Sequence, residues 1–141
     1  MARLPDWRGR LSACIDASLQ RPFEWGVHDC ALFAADAVLA MTGTDVAVGW
    51  RGRYRSAAGA KRILRKTGYL DHVSMAGTLL GEIPPALAVV GDVAVVEGPD
   101  GPALGVVLGA TIAVPGTDGL GFLPRSEALR TFHVPFDGEA A

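Results

Sequence analysis

The stretch "WGVHDCALFAADAVL", Trp25 to Leu39, places a cysteine directly after an aspartate. Asp29 is a residue type that caps a helix, which puts Cys30 in the first helical turn. Unpaired N–H groups and the dipole at a helix start stabilise a thiolate, and a lowered thiol pKa is what a nucleophilic cysteine needs. The same N–H groups suit an oxyanion. Against this, Asp29 opposes a thiolate by charge, and a free cysteine at the head of an apolar helix is also an ordinary core residue. The residues alone leave both readings open.

A nucleophilic cysteine needs a base, and the chain has three histidines. His28 stands two residues before Cys30 in the loop that leads into the helix. It is the candidate base in sequence terms; the alternative is a loop residue bonded to backbone. His72 is expected on the surface of a short helix, and His133 on the final strand. Asp92, after Gly91, reads as a turn that starts a strand. Cys14 falls on an apolar helix face and is expected to pack. No His, Cys, Asp and Glu spacing matches a metal site, so neither a metal nor another cofactor is expected. Trp50 is followed by Arg51, Arg53, Tyr54 and Arg55. This patch is a candidate partner interface. Alternatively it holds its loop, with Tyr54 buried and the arginines paired to Asp29, Asp36 or Asp45.

These residues sit in a chain of 141, half of them hydrophobic, which fits a single domain over residues 1–141 with a real core. The net charge of −2 gives no overall footprint for nucleic acid. The basic run from Trp50 to Lys66 reads as a solvated helix face with a basic loop. Two cysteines make no disulfide framework. "MARLPDWRGR" lacks an apolar signal core, so the expectation is synthesis in the cytoplasm without a signal peptide. No run is long enough for a membrane span.

Periodicity supplies the elements. Trp7, Leu11, Cys14, Ile15 and Leu19 share one helical face, and Asp6 is placed to cap a helix reaching about Gln20. The helix opened by Asp29 is apolar through Met41 and stops at Gly43, so it must lie in the middle of the fold. Ser56 can cap a third helix, Ala57 to Thr67, and a shorter one is expected from Asp71 to about Leu80. From Val89 the pattern changes to "VVGDVAVVEG", "PALGVVLG", "TIAVPG" and "GLGFLP", short apolar runs joined at Pro99-Asp100-Gly101 and Thr117-Asp118-Gly119. Ser126 can cap a last helical turn, "FHVPF" reads as a closing strand, and residues 137–141 as a frayed tail. Helices followed by an antiparallel meander make an α+β fold.

"WGVHDCALFAADAV", "GDVAVV" and "GVVLG" resemble the NlpC-type, papain-like cysteine peptidases of the bacterial cell-wall kind, over about Phe23 to Val114. That resemblance implies a papain-like fold with N-terminal helices packed on a barrel-like sheet. It implies Cys30 as the nucleophile and a histidine at the start of the second main strand as the base. A second resemblance covers nearly the whole chain. It rests on "WGVHDCALFAAD", "RGRYRSAAGAKRILRKTG" and "GPALGVVLG" with "PGTDGLGFLP", and is to a small family encoded in phages, prophages and gene-transfer-agent-like clusters. It implies a virion component in a tail module, with tail-tip or hub proteins as partners.

The departures are specific. Where the base histidine belongs, "PALGVVLG" holds Ala103 or Leu104, and the next strand offers only Thr111 as a third polar group. Losing the general base removes roughly 10²–10⁴-fold in rate. The expectation is therefore a tail structural or assembly protein on a peptidase fold whose catalysis is impaired. The alternative is an active cysteine hydrolase cleaving peptidoglycan peptide or amide bonds, with Cys30 as nucleophile and His28 as base.

Overall fold

The computed structural model describes residues 1–139. It contains four α-helices: α1 (Trp7–Ser18), α2 (Cys30–Thr42), α3 (Ala57–Lys66) and α4 (His72–Leu79). Three of them start on a side chain that accepts an otherwise unpaired amide. Asp29 accepts from Leu32 N at 2.9 Å, Ser56 from Gly59 N at 3.0 Å and Asp71 from Ser74 N at 2.8 Å. The exception is α1. Asp6 makes no cap bond; its Oδ1 accepts instead from Arg10 Nε at 2.9 Å, one turn along. At the far end of α2, Gly43 takes the left-handed conformation that terminates the helix.

The six strands are β1 (Gly81–Ile83), β2 (Val93–Gly98), β3 (Gly101–Val107), β4 (Thr111–Gly116), β5 (Gly119–Pro124) and β6 (Arg130–His133). All neighbouring pairs are antiparallel, in the order β1-β6-β2-β3-β4-β5. The expected meander is present as β2 to β5, with two-residue turns at Pro99–Asp100 and Thr117–Asp118. Two features go beyond the sequence reading. The chain forms β1 directly after α4, where only the end of the helical half was expected. β6 does not extend the meander but returns to lie between β1 and β2. Both follow from one pairing across the chain, in which Glu82 stands opposite Phe132. Ser126 lies inside a short 3₁₀ turn, Arg125–Glu127, and caps nothing.

Strand alternation gives the sheet two apolar faces. Val93, Val95, Leu104, Val106, Ala113 and Phe132 face the helices and join the main core. Ala94, Val96, Val107 and Ile112 form a smaller cluster on the other face with Ala88. The nearly all-apolar α2 lies between α1 and the sheet and packs on β3 and β4. Phe33, Leu32 and Met41 are among its fully buried side chains. The result is an α+β domain that fixes the head of α2 against the middle of β3.

Candidate functional site

Cys30 opens α2 and is partly buried against the main core. Across from it runs β3, and the alternation of that strand decides between the two residues at the expected base position. Leu104 joins the helix-side core with only 1% of its surface exposed, whereas Ala103 belongs to the opposite face. The sulfur therefore meets a leucine. Burial pushes the Cys30 thiol up to about 11; the Leu104 N–H lowers it, Asp29 raises it, and the N–H groups of the first turn lower it, without reversing the outcome. The helix-start effect expected from the sequence is present and is outweighed by desolvation. Ala31, Ala34, Met75, Leu80, Val93 and Leu104 line an apolar cavity of about 30 Å³ between α2, α4 and the sheet. Ligand pockets typically run to roughly 300–1,000 Å³.

Asp29 is fully engaged. Its carboxylate accepts from Leu32 N at 2.9 Å, from Gly26 N at 3.0 Å and from the Tyr54 hydroxyl in a short bond. Burial pushes the Tyr54 phenol up, and Asp29 adds to that, so the hydroxyl remains a donor. Gly26 has φ +79°, and a Cβ there would lie 1.9 Å from the Tyr54 carbonyl oxygen. Only glycine allows that approach. Gly52 N also donates to Gly26 O at 3.0 Å. "WGVHDC" and "RGRY" are thus one hydrogen-bonded unit around the head of α2.

The basic patch divides accordingly. Tyr54 is buried. Arg51 donates to Asp36 at 2.7 Å and to Asp45 at 2.9 Å, tying the loop to α2. Arg53 and Arg55 are exposed.

His28 does not reach Cys30. Its ring is fully buried, and neither nitrogen has a hydrogen-bond partner. It packs edge-on against Phe33, with centroids 5.9 Å apart. Burial pushes its pKa below the ordinary 6.5, with Arg21 adding to the effect and Asp36 and Asp29 opposing it. A base must come within hydrogen-bond reach of the proton it takes. The structure instead makes His28 a neutral core residue. His72 Nε2 lies 2.7 Å from the Pro102 carbonyl, bridging α4 to the start of β3. Cys14 packs partly buried against the core, and burial pushes its thiol up to about 11.

A cluster of charged groups built into the core was not expected from the sequence. Asp92, fully buried, accepts from Arg3 Nη2 at 2.9 Å, from Val134 N at 3.0 Å and from Val89 N at 2.8 Å. His133 Nδ1 stands 2.9 Å from the same carboxylate. Arg3 also donates to Val134 O at 2.9 Å and Val90 O at 2.6 Å, and its guanidinium lies 4.3 Å from the ring centres of both Trp7 and Phe136. On the solvent side, Glu139 bonds His133 Nε2 at 3.0 Å and accepts from Phe136 N at 2.9 Å. Of the tail expected to fray, Ala140 and Ala141 lie outside the described residues. The groups bonded in this cluster include no thiol or hydroxyl. Its work is to clasp the N-terminal segment, the start of β2 and the end of β6. The available signal was the Gly91-Asp92 pair: a Cβ on Gly91, at φ +93°, would lie 2.6 Å from Met41 Sδ and 2.8 Å from Arg3 Nη1.

Among the described residues no group of three His, Cys, Asp or Glu side chains is placed to hold a metal ion. No helix among them is long and apolar enough to cross a membrane. No curated protein matches the chain. The model of a family described as a domain of unknown function, DUF6950, matches residues 2–134. With the match running from Ala2 to Val134, and so including Arg3 of the clasp and Cys30, the chain belongs to the DUF6950 family.

Proposed function

We propose that this domain is a structural or assembly component of a phage-type tail, associated with tail-tip or hub proteins, on an NlpC-like, papain-like fold whose catalytic machinery has been lost. The observation that carries this reading is the apposition of Cys30 and Leu104. The resemblance places a general base at this point of the second main strand, and a leucine cannot move a proton. A thiol at about 11 leaves on the order of one molecule in 10⁴ as thiolate at neutral pH. The helices-then-sheet order supports the fold assignment. The tail context rests on the sequence blocks shared with phage and gene-transfer-agent-like proteins.

The test is Cys30→Ser introduced into the phage or particle that encodes the protein. Unchanged assembly and infectivity are expected, with the protein present in purified tails. Absence from every tail fraction would sink the tail context.

One observation favours the alternative, a cysteine hydrolase acting on peptidoglycan peptide or amide bonds. The backbone N–H groups of Leu104, Ala31 and Cys30 favour a thiolate at Cys30, and such donors also suit an oxyanion. That reading requires alkylation of Cys30 to follow an apparent pKa near neutrality. The structural reading expects the rate to climb toward pH 11 with no inflection near 7.

A further inference from the structure

Seven of the 13 lysines and arginines fall between residues 51 and 66, and no Asp or Glu lies between Asp45 and Asp71. Arg51 is paired internally. The other six, Arg53, Arg55, Lys61, Arg62, Arg65 and Lys66, are all exposed. Among the described residues none of the six has an ion-pair partner within 4.0 Å. Four of them form the outer face of α3 with Ala58, while Leu64 and, partly, Ile63 and Ala60 turn to the core.

Arg65 and Lys66 sit in the last turn, where cations suit the helix dipole. Lys61 and Arg62 do not have that support. Each stands one turn from a like charge, Lys61 below Arg65 and Arg62 below Lys66, an arrangement that repels. Yet the chain as a whole carries more acid than base, with a net charge of −2. Carboxylates that would relieve the repulsion are plentiful in the chain but none is placed on this face.

We infer that the α3 face with its lead-in is a docking surface for an acidic protein segment, one presenting several carboxylates over about 15 Å, the length of a ten-residue helix. Charge complementarity names the sign of the partner. Two further observations narrow its class. The face offers no aromatic residue on which a base could stack and no large apolar residue that could enter a bilayer. The net negative chain also repels an extended polyanion such as a duplex, whereas a short acidic segment meets only the basic face. The surface does not depend on the tail assignment, since it uses neither Cys30 nor the resemblance.

The test is fluorescence anisotropy of a labelled poly-glutamate peptide titrated with the full chain at low and high salt. Duplex DNA and phosphatidylserine vesicles are run alongside. Binding of the peptide that weakens steeply with salt is expected. The double substitution Lys61→Glu, Arg65→Glu should weaken it about tenfold or more. Arg62→Glu, Lys66→Glu should do the same, and Arg8→Glu on α1 should change it by less than about twofold. Each double variant exchanges one like-charged pair for another and sets a glutamate in the last turn of α3, so melting temperatures slightly below wild type are expected, with the fold retained. An Arg8→Glu loss as large as the α3 losses would reduce the effect to general charge and overturn the proposal. So would tighter binding to DNA or vesicles, or no peptide binding at all.

Discussion

His133 Nδ1 lies 2.9 Å from Asp92 Oδ1, and its Nε2 lies 3.0 Å from Glu139 Oε1. A neutral imidazole has a single N–H, so two carboxylate neighbours are both served only by the imidazolium. Burial works against that charge, but Glu139 and Asp92 together outweigh it and raise the His133 pKa above 6.5. The His133 bond in turn holds the Glu139 carboxyl below its ordinary 4.5.

The signs of these two shifts are opposite. The His133 contribution is complete below pH 6.5 and is lost as pH rises through its raised folded value. The Glu139 contribution is complete above pH 4.5 and is lost as pH falls through its lowered folded value. The pair stabilises most between those two pH values. Wild type should therefore melt above Glu139→Gln by the widest margin there, and the margin should shrink in alkali. An NMR titration of His133 gives the direct check: its midpoint should fall in Glu139→Gln, and an unmoved midpoint rules out the pairing.

His28 predicts the reverse slope. Its pKa is lowered, so stability is present above the ordinary 6.5 and declines as pH falls through the folded value. Its two ring nitrogens are buried without partners. An apolar side chain of similar shape removes that deficit. His28→Leu is expected to gain about 1 kcal/mol at pH 8 and more at pH 5. Urea unfolding at the two pH values measures it, and a loss of stability at pH 5 contradicts the assignment.

The clasp around Asp92 is a buried ion pair with its remaining hydrogen bonds made. Removing one partner leaves an uncompensated charge, typically a loss of about 3–5 kcal/mol. Arg3→Ala should fall in that range, since Asp92 and the rings of Trp7 and Phe136 all lose their partner. Gly91→Ala should also destabilise, by roughly 1–3 kcal/mol, from the forced φ and the contact with Met41 and Arg3. Denaturant midpoints compare the two, and a wild-type midpoint for Arg3→Ala would remove the clasp from the account.

Tyr54→Phe isolates the link between the loop and the head of α2. It takes one of three donors from a buried carboxylate, with an expected loss of about 1–2 kcal/mol. Faster exchange of the Gly26 and Leu32 amides should accompany it. Unchanged exchange would mean that the two segments hold independently.

The local elements were legible because their causes are local. Asp29, Ser56 and Asp71 cap where their side chains can reach an amide three residues on. Pro99–Asp100 and Thr117–Asp118 turn where the strands need two residues. Asp6 misled because Arg10, one turn away, took its carboxylate; capping capacity says nothing about competing partners.

The sequence by itself determined the α+β class, the centrality of α2 and the placement of a cysteine at its head. Periodicity, capping and turn chemistry act within a few residues, and they suffice for that much. Only the tertiary structure decided which side chains meet. It turned Leu104 rather than Ala103 toward Cys30 through strand alternation, and it buried His28 without a partner. It drew Arg3, Asp92 and His133 into one cluster by bringing β6 back beside β2. Those contacts join residues far apart in the chain, and their energies come from burial and charge in three dimensions, which spacing along the sequence does not encode.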